Sequence, residues 1–137
     1  MLALVLCAIA PSVSATDYSM VERISEDMLT DREKNLSIIG PEVKINSSQV
    51  TINYVSISTN LNNLLTDIGA IIGVYWGIVD NYPEVGDLFV TIEDSREKPM
   101  ATFYCLKSWV TGASSDSNSQ LERLVLRVIN TVETVPS

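Results

Sequence analysis

A long apolar segment in the middle of the chain limits the fold more than any other feature. Within residues 61–79 the apolar side chains recur with helical spacing, and no charged residue occurs between Ile68 and Val79. Asn60 before the segment is a good helix N-cap, and Pro83 after it cannot continue a helix. A helix that is apolar on nearly all sides is usually buried. The sequence therefore predicts a central helix around which the rest of a domain is built.

Three glycines, Gly69, Gly73 and Gly77, recur every four residues and form one stripe along this helix. Each costs about 1 kcal/mol relative to alanine in a helix. We predict that the stripe allows close packing against another backbone, which is either a neighbouring element of a soluble domain or a second helix in a membrane. Asp67 shortens the fully apolar stretch below the roughly 20 residues that a membrane span needs. The soluble interpretation is therefore favoured.

The first helix is predicted within residues 17–34, where apolar residues follow a period of 3.6. Ser19 and Glu22 have the spacing of a capping box, which places its start. One side is expected to face the core and the other to face solvent. The apolar side comprises Met20, Val21, Ile24, Met28 and Leu29, and the charged side Glu22, Arg23, Glu26, Asp27 and Asp31.

Alternating segments on either side of the central helix predict two hairpins. The first covers residues 43–45 and 50–57, and the second covers residues 87–92 and 100–110. A last helix is predicted over residues 119–132. The order α-β-β-α-β-β-α predicts an α+β domain, in which three helices pack on an antiparallel sheet of about four strands.

The first fifteen residues have the character of a secretory signal. Residues 1–10 are uncharged and apolar, and Val13 and Ala15 are small residues at the −3 and −1 positions of a cleavage site. Cleavage between Ala15 and Thr16 would leave residues 16–137 as one extracytoplasmic domain: secreted, periplasmic or at the cell surface. The segment lacks a basic start, so the alternative is a retained anchor that tethers the domain to a membrane.

Composition excludes several classes of function. The 137 residues include no histidine, which excludes Ser-His-Asp and Cys-His catalysis and His-ligated zinc. The net charge of −8 argues against binding nucleic acid or anionic lipid. No phosphate-binding glycine loop, nucleotide fingerprint or Cys-x-x-Cys motif occurs, so we predict no cofactor and no metal.

Few residues carry recognisable chemistry. Cys105 lies among apolar residues and has no histidine to act as its base, so we predict a place in the core rather than catalysis. Asp80, Asp87 and Glu93 are the carboxylates of an alternative hypothesis, a small extracytoplasmic hydrolase. Hydrolysis of that kind needs two carboxyl groups about 5–10 Å apart, and sequence does not fix that separation.

Elimination therefore favours an exported domain that acts by binding and not by catalysis. Its expected partner is another protein or a second copy of the chain, with a membrane involved only if the N-terminal segment is retained. One face of the sheet, or the glycine stripe, is the expected contact. Export would also make the sequons at Asn35 and Asn46 candidate glycosylation sites.

Overall fold

The structure is a computed structural model that describes residues 17–30, 36–57, 60–111 and 118–135. Its helices are α1 (Ser19–Leu29), α2 (Leu61–Asn81), α3 (Lys107–Thr111) and α4 (Asn118–Ile129). Its strands are β1 (Ile38–Ile45), β2 (Gln49–Ser56), β3 (Asp87–Glu93), β4 (Pro99–Cys105) and β5 (Glu133–Thr134).

The five strands form one mixed sheet in the order β1-β2-β3-β4-β5. The predicted α+β class and both predicted hairpins are confirmed, since β1 pairs with β2 and β3 with β4 in antiparallel fashion. The prediction of an antiparallel sheet is wrong at the centre, where β2 and β3 run parallel with Val50 opposite Leu88 and Ile52 opposite Val90. Parallel neighbours require a crossover connection, and α2 supplies it. The described residues also hold one more strand and one more helix than predicted.

The core lies between α2 and one face of the sheet. Alternate residues of β2 and β3 are buried, and the residues between them are partly or fully exposed. Nine residues of α2 are buried, which confirms the predicted central helix. Asn60 caps this helix, because its side-chain oxygen accepts a hydrogen bond from the Asn62 amide. The largest fully buried side chains include Tyr54, Tyr75, Phe103, Ile68 and Leu88.

Helix α1 begins at the predicted place but is turned differently about its axis. Its residue before the first turn is Tyr18, and no side chain caps it, so the predicted capping box is not formed. Glu22 and Glu26 instead accept hydrogen bonds from the amides of Ile45 and Val43 on the edge strand β1, at 2.8 and 2.9 Å. These two carboxylates occupy the open edge of the sheet, which leaves three of the five predicted core residues of α1 facing outward.

The exposed fractions of the α1 side chains show the consequence. Met20 is 73% exposed, Ile24 52% and Met28 43%, while Leu29 is fully buried. The predicted core side of α1 is therefore correct at Leu29 and partly at Val21, and wrong at Met20, Ile24 and Met28, because Glu22 and Glu26 occupy the contact with the sheet edge.

The second hairpin ends earlier than predicted. Strand β4 stops at Cys105, and the short helix α3 begins at Lys107. The Asp87 carboxylate accepts a hydrogen bond from the Lys107 amide at 2.7 Å, which satisfies a donor at the start of that helix. The strand predicted to extend to residue 110 is corrected accordingly.

Position 86 requires glycine because two backbone segments approach each other closely there. A Cβ at this position would overlap the carbonyl group of Ser48, which leads into β2. The Tyr75 hydroxyl donates a hydrogen bond of 2.8 Å to the Gly86 carbonyl. These contacts fix the entry to β3 against both β2 and the central helix.

Candidate functional site

Two of the three carboxylates of the hydrolase hypothesis, Asp87 and Glu93, lie far apart. Asp87 and Glu93 lie at opposite ends of β3, and the six residue steps between them correspond to about 20 Å. Asp80 lies exposed on α2, and Asp87 already accepts a hydrogen bond from the Lys107 amide. This arrangement does not form the carboxylate pair of a glycoside hydrolase.

Cys105 belongs to the core, as predicted. Its side chain is fully buried. Burial raises the pKa of the thiol to about 12, and the Asp87 carboxylate acts in the same direction. A neutral, buried thiol is a poor nucleophile, so the thiol contributes to packing.

The buried polar groups have a structural role. Asp67 and Ser37, which are 1% and 5% exposed, bond to each other. Tyr54 lies on β2. Its burial, together with the charge of Asp67, raises the pKa of its hydroxyl. Among the described residues, no group of three or more histidine, cysteine, aspartate or glutamate side chains is placed to hold a metal ion.

The described part of the chain contains no helix with the length and apolar character needed to cross a membrane. Ala15 and Thr16, the predicted cleavage site, lie outside the described residues, as does Asn35. Asn46 lies in the exposed turn between β1 and β2. Its side-chain oxygen accepts hydrogen bonds from the amides of Ser48 and Gln49, so this residue shapes the turn.

The glycine stripe faces away from the sheet. A Cβ placed on Gly69, Gly73 or Gly77 would meet no described atom outside its own helix within 4 Å. The expected close packing against a neighbouring element is therefore not found in the described part of the chain. Gly73 and Gly77 instead form the floor of a shallow surface depression between α1 and α2, which we call the glycine channel.

Apolar side chains form the walls of the glycine channel. Near Gly73 and Gly77 a groove of about 190 Å³ separates α1 from α2, and its lining includes Ile24 and Met28 but no charged residue. A separate groove of about 350 Å³ lies between α2 and α4. Its lining comprises Leu65, Leu121, Glu122, Val125 and Leu126.

The opposite face of the sheet carries a row of aromatic side chains. Phe89 is 44% exposed and Tyr104 38% exposed, and their ring centroids lie 6.4 Å apart. The Trp109 ring lies 5.9 Å from Tyr104, and the Arg127 guanidinium lies 4.4 Å from the Trp109 centroid. We call this surface, formed by the outward residues of β1 to β4, the open sheet face.

A match to a known family covers most of the chain. Residues 20–137 match the family model described as Domain of unknown function (DUF8159). The chain belongs to this family. No curated protein and no solved structure matches it. The DUF8159 match begins within α1 and takes in every later element, whereas the predicted signal segment lies outside it.

In this DUF8159 domain the glycine spacing indicated the stripe on α2, but the apolar period of α1 did not indicate which side of that helix is exposed. Met20, Ile24 and Met28 were predicted to be core residues, because their helical period is the usual signature of a buried face. The distinguishing signal was the pair Glu22 and Glu26, one helical turn apart, which matches the spacing of alternate amides on a strand edge.

Proposed function

We propose that this DUF8159 domain is an exported, non-catalytic protein-interaction module, and that the glycine channel is its contact surface. The observation that carries the proposal is the exposure of two helical glycines, Gly73 and Gly77, between apolar walls, with space for a Cβ at Gly69 as well. Contiguous exposed apolar surface of this kind marks interaction sites in soluble proteins.

The energetics of glycine support an external partner. Each glycine in a helix costs about 1 kcal/mol relative to alanine. Alanine would fit at all three positions without a contact closer than 4 Å to another described element. The packing of the described residues therefore does not need these glycines, and a neighbour outside them is the compensation that we infer.

The shape and charge of the channel favour an apolar helix as that neighbour. Gly69 to Gly77 spans eight residues, or about 12 Å of helix. Small residues at every fourth position let a second helix approach closely, while Ile24 and Met28 stand beside it as a ridge. In a chain of net charge −8, the uncharged groove between α1 and α2 also avoids repulsion between copies. The helix therefore comes from a second copy or from another protein.

Export rests on the first fifteen residues. Their apolar character and the Val13–Ala15 pattern support cleavage before Thr16. The intact mass of the protein from the medium, membrane and cytosolic fractions tests this part. A species beginning at Thr16 outside the cytosol is expected, and a full-length species confined to the cytosol would contradict export.

Photo-crosslinking in the producing cells tests the contact surface. A benzophenone amino acid in place of Met28 would lie on the wall of the channel, and the same amino acid in place of Ser95 would lie on an exposed loop that does not line it. We expect a discrete adduct from position 28 only, with twice the chain mass if the partner is a second copy. No adduct, or the same adduct from both positions, would contradict the proposal.

A further inference from the structure

We propose that the open sheet face binds an extended, basic segment of another protein, with an apolar residue of that segment on the aromatic row and its cationic residues in an acidic cleft. This goes beyond the proposed helix contact, which lies on the other side of the sheet.

The aromatic row supplies an anchor for such a segment. Phe89 and Tyr104 are cross-strand neighbours, and both are exposed although they are large and apolar. Trp109 and Arg127 continue the row. Tyrosine, tryptophan and arginine are the residue types that dominate the energetic centres of protein interfaces.

The cleft lies on the same face, toward the end of the parallel strands β2 and β3. It has a volume of about 640 Å³ and is lined by the apolar residues Ile39, Pro41 and Val55 as well as by glutamates. The register shift between Ile39 and Glu42 opens it, because Gly40 and Pro41 interrupt the pairing of β1 with β2. The glutamates that line it are Glu26, Glu42, Glu93 and Glu97.

The charge of the cleft is not balanced by its own lining. Among the residues that the structure describes, no lysine or arginine lines it. Lys44 approaches Glu42 at 3.9 Å with both side chains more than half exposed, and such a pair contributes little. Charge complementarity therefore selects a cationic partner and opposes phosphate-bearing ones.

Spacing along β3 defines the segment. Phe89 and Glu93 are four residues apart on one face of the strand, which corresponds to about 13 Å. An extended partner bridges the same distance with an apolar residue and a lysine or arginine four positions apart. Outward polar residues lie between the two ends, where the partner backbone would pass, and they are Thr51, Asn53, Thr91 and Thr102.

Two synthetic peptides test the inference by their effect on the amide spectrum of the ¹⁵N-labelled full chain. The probe has the sequence acetyl-Thr-Phe-Thr-Ser-Thr-Lys-Lys-Thr-amide, and its counterpart has glutamate in place of both lysines. We expect the lysine peptide to shift the amides of Asn53, Thr91 and Glu93, and the glutamate peptide to leave them unchanged. Equal shifts from both peptides, or shifts confined to α2 and α4, would overturn the inference.

Matched charge variants separate the cleft from the overall charge. Glu93→Gln with Glu97→Gln removes two charges from the cleft, and Asp80→Asn with Glu122→Gln removes two exposed charges from the helix side. We expect the first pair of substitutions to lower the affinity for the lysine peptide by at least about fivefold. The second pair should leave that affinity within twofold of the wild-type value. Equal weakening would show non-specific attraction and overturn the inference. Gly73→Ala should not alter peptide binding, so failure here is distinguishable from failure of the helix contact.

Discussion

The Asp67 carboxylate on α2 accepts two hydrogen bonds from Ser37, one from its amide at 3.0 Å and one from its hydroxyl at 2.5 Å. Ser37 immediately precedes β1, so this pair ties the central helix to the start of the sheet. A buried carboxylate is tolerated only with such partners.

Ser37→Ala removes one of these bonds and leaves a buried carboxylate oxygen without its hydroxyl donor. We expect the free energy of unfolding to fall by about 1–3 kcal/mol. Urea denaturation measures the change, with Ser47→Ala in the exposed β1–β2 turn as the control. A loss no larger than that of the control would show that the pair does not hold the helix to the sheet.

Gly86→Ala places a methyl group against the Ser48 backbone, which cannot rotate away as a side chain would. We expect a loss of at least about 2 kcal/mol. Gly69→Ala is the matched control, because its methyl group would meet open space. The midpoint temperature of thermal unfolding should fall in Gly86→Ala and rise in Gly69→Ala. Similar destabilisation of both variants would contradict the geometry.

The edge contacts of α1 are tested by hydrogen exchange. Glu22→Ala with Glu26→Ala removes the acceptors of the Ile45 and Val43 amides. Each bond contributes about 1 kcal/mol, so exchange at these two amides should accelerate about fivefold. Asp27→Ala on the same helix is the control, since this residue is exposed. Unchanged protection at both amides would mean that the glutamates do not bond to the sheet edge in solution.

The raised pKa of the Cys105 thiol predicts a loss of stability at high pH. Its ordinary pKa of 9.0 is raised to about 12 by burial. Above pH 9 the unfolded thiol releases a proton that the folded thiol keeps, so unfolding becomes easier until the pH passes about 12. Wild type should lose about 1 kcal/mol more between pH 8 and pH 10 than Cys105→Ala does. Tyr54 is not coupled to Cys105 and contributes equally in both proteins, while the charge of Cys105 raises the pKa of Tyr75 and so adds to the loss in the wild type. Equal losses would therefore contradict a buried neutral thiol.

The sequence predicted the elements better than their arrangement. The central helix, predicted over residues 61–79 and found over 61–81, and both hairpins followed from period and turn residues, since those signals are local. The parallel pairing of β2 with β3 could not be predicted from the sequence, because a strand–helix–strand order does not determine which strands lie next to each other in the sheet. The short helix α3 was missed for a related reason: the Asp87 side chain that meets its first amide comes from twenty residues earlier in the chain.

The candidate site shows the same limit. Glycine spacing located the stripe, but whether a methyl group has room there depends on elements distant in sequence. The exposed side of α1 depended on two glutamates that bond to strand amides rather than to solvent. The exclusion of histidine-dependent catalysis and of His-ligated zinc rested on composition alone, because a sequence without histidine excludes them whatever its fold.

The double variant Gly73→Ala with Gly77→Ala tests the central claim most directly, when its unfolding free energy and its crosslinking from position 28 are measured together. Alanine is the better helix former, so stability should rise by up to about 2 kcal/mol. The added methyl groups would fill the channel floor, so the adduct should fall several-fold. A loss of stability would contradict the account, because the glycines would then serve the domain's own packing. Increased stability with undiminished crosslinking would contradict it too, because the partner would not occupy the channel.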